Sequence, residues 1–279
     1  MPSVIIPAYN EESCIERTLR GVLTDATDDL EIVVVPNACT DRTAEIADSL
    51  DKRIRVISTP IPGKCHALNL GEQHLRTFPR IFLDADIQLS PGAIPELLRN
   101  CGRPHPIVSP LPVYNMRHAS IGMRLFMRAE AFNHYFGHGS PNGSGCFVLT
   151  EEGRQRWGTF PDIMADDAFV HGHFQPFETI TIREATATVM PPRDVFSMIK
   201  VQGRVRRGTY EIFHRYPELA SNHESQVGGS LGRMLIRPWE WPAFAVYAFV
   251  KIRERQLAKA DIKRGQKDWI RDETTRRQF

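Results

Sequence analysis

The chain has 279 residues, enough for one large α/β domain or two small ones, and its charged and apolar fractions are those of an ordinary soluble globular protein. Lysine and arginine (35) nearly balance aspartate and glutamate (33), so a net charge of +2 gives no reason to expect a nucleic-acid partner. The five cysteines (Cys14, Cys39, Cys65, Cys101 and Cys146) form no Cys-x-x-Cys pair, which argues against a zinc site or disulfide framework and fits a reducing compartment.

The first hundred residues alternate strand and helix signals. Ser3-Val4-Ile5-Ile6 reads as a strand rather than a targeting segment, with Asn10 as N-cap of a helix over about 11–23. Ile32 to Val35 is an apolar strand, followed by a helix over about 41–50. Ile54 to Ile57 is a third strand, with a helix over about 64–75, and Ile81-Phe82-Leu83 is a fourth. Apolar strands interleaved with helices predict a parallel sheet covered on both faces.

Beyond residue 86 the pattern changes. Ser90-Pro91 predicts the start of a helix reaching Asn100, Ile107-Val108 a short strand, and Ser120 to Phe136 a helix. A glycine-rich turn over 140–145 precedes strand Cys146 to Leu149, and the stretch 161–174 reads as a turn and a short helix. Thr179 to Val189 alternates weakly, as an edge or surface strand does, and Arg193 to Tyr216 is a long basic helix. No composition shift marks a linker. The expected organisation is a catalytic domain over 1–215, halved near residue 100, with a helical extension over 216–279.

Asp84-Ala85-Asp86 closes the fourth strand, where open α/β sheets bind ligands. Two carboxylates at i and i+2 can both approach one hard cation, and Mg²⁺ or Mn²⁺ is commonly held by one or two carboxylates plus substrate phosphates. Asp166-Asp167 is a second acid pair. Adjacent carboxylates repel, which suits one of them to proton abstraction, although acids also favour the start of any helix. His171 and His173, two residues apart on a helix, do not share a face and make a poor metal pair.

Five features recur in a fixed order: Pro7-Ala8-Tyr9-Asn10-Glu11, Asn37-Ala38-Cys39-Thr40-Asp41, Gly63-Lys64-Cys65-His66-Ala67-Leu68-Asn69, Asp84-Ala85-Asp86 and Ala165-Asp166-Asp167. This order resembles the family 2 glycosyltransferases of the GT-A fold, over roughly residues 1–210. The resemblance implies a Rossmann-like mixed α/β sheet flanked by helices and an inverting, metal-dependent transfer of sugar from a nucleoside diphosphate sugar to an acceptor hydroxyl. By position it puts Pro7, Tyr9 and Glu11 at the base and ribose of the donor. Asn37 stands where many members carry an aspartate, as a base contact or else a turn residue. Lys64 falls beside the diphosphate, and Asn69 reads as a structural residue of its helix. Asp84, Ala85 and Asp86 fall at the donor and at Mn²⁺ or Mg²⁺, with Asp86 the primary ligand. Asp167 matches the acceptor base, Asp166 its neighbour that orients, and Arg204 and Arg207 the basic contacts to donor or acceptor.

The processive members' Gln-x-x-Arg-Trp is not matched by Gln202-Gly203-Arg204-Val205-Arg206, so a non-processive enzyme is expected, with UDP the preferred nucleotide and cell-envelope or glycolipid synthesis the setting. Two alternatives stand beside it. A non-catalytic sugar-nucleotide sensor would lose the base, which Asp167 retains; a nucleotidyltransferase would want a glycine- and arginine-rich loop after the first strand. The tail, Pro238-Trp239-Glu240-Trp241-Pro242 and then Ala243 to Val250 and Lys251 to Arg255, is too short in its apolar part to span a bilayer. Trp241, Phe244 and Tyr247 form the expected apolar stripe, and the tail fits either an interfacial membrane helix or one packed on the domain or a dimer partner. The expected location is the cytoplasm or the inner face of the cell membrane as a peripheral protein.

Overall fold

The computed structural model describes residues 1–132, 144–223 and 237–265. Strands β1 (Ser3–Ala8), β2 (Glu31–Pro36), β3 (Ile54–Val56) and β4 (Arg80–Leu83) pair in parallel, in the order β3-β2-β1-β4. Their alternate side chains enter opposite layers. Val4, Ile6, Ile32, Val34, Ile81 and Leu83 pack on one side with Ile15, Leu19 and Leu97, from helices α1 (Ile15–Asp25) and α4 (Ala93–Asn100). Ile5, Val33, Val35 and Phe82 pack on the other with Leu68 of α3 (Lys64–Glu72), Phe147 and Phe160. Burial on both faces is why these strands read as continuous β-branched runs. Helix α2 (Thr43–Leu50) links β2 to β3.

The sheet continues through β7 (Cys146–Leu149), antiparallel to β4, then β6 (Ile107–Tyr114), β8 (Thr179–Val189) and the two-residue β5 (Gln88–Leu89). The sheet is therefore mixed, as the resemblance implies. The remaining α-helices among the described residues are α5 (Ile121–Glu130), α6 (Glu151–Arg154), α7 (Asp166–Gly172), α8 (Val195–Arg215) and α9 (Trp241–Lys263). A third cluster joins α5, α8 and α9 through Met123, Phe126, Met198, Ile199, Tyr247 and Val250.

Several local expectations are corrected. Asn10 does not cap α1: its backbone is left-handed (φ 53°), its Oδ1 accepts from the Thr40 amide at 2.7 Å, and the helix starts later, after Cys14. Helix α4 likewise starts after Gly92, whose φ of 80° glycine alone adopts cheaply. The strand at Ile107 runs eight residues because β8 pairs along its whole length; on its other side β8 meets β5 only at Ala187 and Thr188, so over most of its length it is the edge or surface strand expected. Residues 133–136 of the expected long helix and 140–143 of the expected turn lie outside the described residues. In α9 the buried stripe is Ala243, Tyr247, Val250, Glu254, Ala258 and Asp261, which leaves Trp241 on the exposed side.

Candidate active site

β1 lies where the order of the parallel strands reverses: the chain moves outward through β2 and β3, then returns to the other side of β1 as β4. The crevice beyond the carboxyl ends of β1 and β4 is the expected ligand position in such a sheet. The loops after β1, β2 and β4 converge there, with Gly63 and Lys64 at the start of α3.

Their geometry is set by hydrogen bonds between loops. The Asn37 amide donates to the Ala8 carbonyl at 2.8 Å, and its oxygen accepts from the Gly63 amide at 3.1 Å. Asn37 is buried. Both of its polar ends thus tie β1, β2 and the α3 turn together, and the left-handed residue beside it is Ala38 (φ 49°). Pro7 is buried within β1 opposite Val35, whereas Tyr9 stands exposed beyond the strand end. Glu11 is buried; its amide donates to Thr43 Oγ1 at 2.7 Å and its carboxylate accepts from the Cys14 thiol at 3.0 Å. Asn69 exchanges two 2.8 Å bonds with the backbone of Phe160, the structural role expected of it.

Ala85 points into the core and its carbonyl accepts from Thr18 Oγ1 at 2.8 Å, so Asp84 and Asp86, on either side, both reach outward and are half-buried. Asp86 lies within electrostatic reach of Arg17; burial depresses that guanidinium, while Cys14 and Asp86 act to raise it. Gly145 backs the loop. Its carbonyl accepts from the Asp84 amide at 2.8 Å, its φ is 61°, and a Cβ there would lie 2.6 Å from Ile87 and 3.2 Å from Asp84 Oδ2. The close approach for which this glycine is needed is thus made chiefly to the Ile87 side chain and, less tightly, to Asp84.

Lys64 joins the two acid pairs. Its ammonium is 2.6 Å from Asp84 Oδ1 and 3.0 Å from Asp166 Oδ2, although these carboxylates are some eighty residues apart in sequence. A cation in the first turn of a helix opposes the dipole, and here two carboxylates compensate it. Burial works against the Lys64 charge, but Asp166 and Asp84, with Asp167 beyond, outweigh it and hold the ammonium well above the ordinary lysine range. Asp166 is buried at the start of α7. That burial, opposed by Lys64 and reinforced by Asp167 and Asp84, raises its carboxyl to about 6. Asp167 is half-buried and accepts from the Ala168 amide at 2.7 Å, which leaves its second oxygen clear of that bond.

Of the expected basic contacts, Arg204 is half-buried on α8, while Arg207 is turned inward. The Arg207 guanidinium is buried, 3.4 Å from Met164 Sδ and 3.9 Å from Asp261 of α9. His171 lies in α7 and His173 just past it, and among the described residues no group of three or more His, Cys, Asp or Glu side chains could hold a metal ion by itself. A cation there would need substrate oxygens beside Asp84 and Asp86, the donor set that Mg²⁺ and Mn²⁺ prefer, and in that sense the residues fit. The Lys64–Asp166 contact was missed from sequence. Its one signal was the lysine at a helix start, which called for an anion without saying which.

A family model for glycosyl transferase family 2 matches residues 3–151, more than half of the chain, and the chain belongs to that family. Among curated relatives, an uncharacterized glycosyltransferase, EpsJ, of Bacillus subtilis (strain 168) is 36% identical over 91 residues, 32% of this chain and 26% of the relative. An undecaprenyl-phosphate 4-deoxy-4-formamido-L-arabinose transferase of Edwardsiella ictaluri is 31% identical over 115 residues, 38% of this chain and 35% of the relative. The matched stretch therefore spans about a quarter to a third of those proteins. Among solved structures, glucosyl-3-phosphoglycerate synthase from Mycobacterium tuberculosis in complex with UDP superimposes with a TM-score of 0.56 at 19% identity, over 77% of this chain and 79% of that one. The same enzyme has been crystallised with Mn²⁺, UDP and glucosyl-3-phosphoglycerate. S. aureus TarS 1-349 superimposes with a TM-score of 0.55 at 15% identity, over 95% and 92% of the two chains. These likenesses establish the GT-A fold.

Proposed function

We propose that this glycosyltransferase is inverting, metal-dependent and non-processive, and that it passes a sugar from a nucleoside diphosphate sugar, UDP by preference, to an acceptor hydroxyl. The observation that carries the reading is the single ammonium of Lys64 shared by Asp84 at the end of β4 and Asp166 at the start of α7. It brings the acids of the two halves to one place, the junction at which donor and acceptor would have to meet.

Asp167 takes the acceptor hydroxyl proton on a carboxylate oxygen. The acceptor oxygen forms the new bond to the anomeric carbon while the bond from that carbon to the diphosphate breaks, and the diphosphate leaves with the electron pair. Asp166, held by Lys64, orients the loop and the acceptor, and Lys64 supplies positive charge beside the leaving group. Asp86 and Asp84 would hold Mn²⁺ or Mg²⁺, which supplies Lewis-acid neutralisation of the developing diphosphate charge. That UDP and Mn²⁺ occur together in structures of the mycobacterial synthase supports this choice.

The test is calorimetry of UDP binding with Mn²⁺ and again with chelator, followed by a panel of nucleotide sugars scored by nucleotide release. Tight binding that needs the metal, and falls by about ten-fold or more in Asp86→Ala, is expected. Equal affinity with and without metal sinks the metal assignment.

The outward face of α9 supports a membrane partner. Trp241, Ala245, Phe249 and Ile252 follow one another at helical steps and are exposed, as are Trp239 before the helix and Arg253, Arg255, Lys259 and Lys263 along it. Aromatic side chains beside cations suit an anionic bilayer surface, each cation there contributing about 1 kcal/mol. Sedimentation with anionic vesicles should be lost in the Trp239→Ser, Trp241→Ser double variant and in high salt; a full chain that ignores vesicles rules this partner out.

A further inference from the structure

One face of α8, made by Arg207, Gly208, Glu211 and Arg215, grips the four residues that precede the acid pair. Arg215 Nη1 donates to the Asp162 carbonyl at 2.7 Å. Glu211 Oε2 accepts from the Met164 amide at 3.4 Å, and Glu211 Oε1 accepts from Arg215 at 2.9 Å. Gly208 lets the helix come so close that a Cβ on it would lie 2.8 Å from that of Ala165. From the opposite side, the Cys65 thiol donates to the Ile163 carbonyl at 3.5 Å, one residue from Lys64.

The direction in which α7 leaves this segment decides where Asp166 and Asp167 point. The Lys64–Asp166 contact of 3.0 Å tolerates little movement of it. An exposed i,i+4 pair on a helix contributes little to stability. Glu211 and Arg215 differ from such a pair because each has its second bond on the backbone of 162–165. We propose that Glu211, braced by Arg215, is a positioning residue for the acid pair: it sets the geometry of proton removal without touching substrate. This rests on the reading of Asp166–Asp167 as the acid pair of the transfer.

The experiment uses the full chain with Glu211→Ala, Glu211→Gln and, as a control, Glu96→Ala, which breaks a pair with Arg99 within α4. Nucleotide release from the best donor, UDP affinity, thermal midpoint and hydrogen exchange of peptides covering 162–170 are measured. A misplacement of about 1 Å costs up to about a hundred-fold in rate. Glu211→Ala should therefore release nucleotide at least about ten-fold more slowly, with UDP affinity within about two-fold, an unchanged midpoint and faster exchange at 162–165. Glu211→Gln, which keeps an oxygen for the Met164 amide, should recover most of the rate, and Glu96→Ala should match the parent. Faster exchange with an unchanged rate makes the grip merely structural and overturns the proposal. So does a rate loss that follows UDP affinity, or a Gln variant no better than Ala. A parent chain that binds UDP but releases nucleotide from no donor overturns the underlying reading first, and this proposal with it.

Discussion

In the half of the molecule built on β1 to β4, the charged side chains that reach the crevice leave from strand ends or from the first turn of a helix, and the sheet beneath them is apolar. The layer that α8 shares with α5 and α9 is made differently. Glu130, Glu254 and Asp261 are buried there among Phe126, Tyr247 and Val250. They are answered by Lys251 at 2.9 Å, by Arg206 Nε at 2.9 Å and by Arg207 at 3.9 Å. Buried pairs add little net stability over an apolar core, but they make one docking of the helices far better than its neighbours, because any slip strands a charge. The first region positions groups chiefly by topology, its matched charges being Lys64 between Asp84 and Asp166 and, at the opposite end of β4, the buried Arg80–Glu72 pair; the second relies on matched charge inside its core, and it is the second that carries Glu211 and Arg215.

The sharpest way to break this comparison is to remove α9. If the helix is integral, a chain ended after Leu235 loses cooperative folding. It forfeits Tyr247 and Val250 and exposes Met123, Phe126, Met198 and Ile199, at about 1.5–3 kcal/mol for each large side chain. That total approaches the whole stability of an ordinary domain. Thermal melting of the shortened chain checks it: a native midpoint would mean that α9 is an appendage and the matched charges idle.

Next in size is the acid pair, where the two regions meet. Asp167→Asn should leave UDP affinity near normal and lower turnover by about 10²–10⁴-fold, the usual contribution of a general base. Asp166→Asn should cost less, because Lys64 keeps Asp84 as a partner. Steady-state nucleotide release on both variants decides, and the reverse order would move the base by one residue.

What could be read in advance follows the same division. The four parallel strands and the Asp84–Asp86 loop were legible because they are local: a β-branched run fixes a strand, and an acid at its end needs no distant partner to be noticed. The pairing of β8 with β5 was not legible, because Gln88-Leu89 is two residues long, meets β8 only at Ala187 and Thr188, and lies about a hundred residues away in the chain. α9 was misread because its faces contradict hydropathy. The buried face carries Glu254 and Asp261 and the exposed face Trp241, Phe249 and Ile252, so the apolar stripe expected at Trp241, Phe244 and Tyr247 points partly to solvent. The burial of Arg207, expected as a contact to donor or acceptor, was not legible either: Asp261, 3.9 Å away, lies 54 residues further along.

A smaller effect tests how tightly the two regions are joined. The Asp166 carboxyl, ordinarily near 3.8, is raised to about 6 in the folded chain, chiefly by burial. Between those values the folded state keeps a proton that the unfolded state has released. Its contribution to stability therefore falls as pH rises across that window, then levels off. Lys64 has the same sense in a higher window: its raised ammonium stabilises the fold at neutral pH and loses that contribution only as pH climbs past the ordinary lysine value of 10.5. Urea midpoints measured from pH 4 to pH 7 should thus decline less steeply in Asp166→Asn than in the parent. A steeper decline in the variant would mean that Lys64, not burial, dominates the carboxyl.

The smallest expected effect lies wholly inside the first region. Asp41 accepts from the Thr43 amide at 3.0 Å with Oδ1, in the turn that precedes α2, and from the Glu12 amide at 3.1 Å with Oδ2. The loops after β1 and β2 therefore share this carboxylate, while Lys64 and the acid pair take no part in it. Asp41→Ala should cost about 1 kcal/mol, the usual net value of a side chain hydrogen-bonded to backbone amides. It should leave UDP affinity and turnover almost unchanged, since Asn37 still ties Ala8 to Gly63. Chemical denaturation of the variant beside calorimetry of UDP binding separates the two. A loss of UDP affinity larger than the loss of stability would show that the shared carboxylate, rather than Asn37, sets the shape of the nucleotide side of the crevice. In that case the topological positioning argued for this half would depend on a single surface side chain.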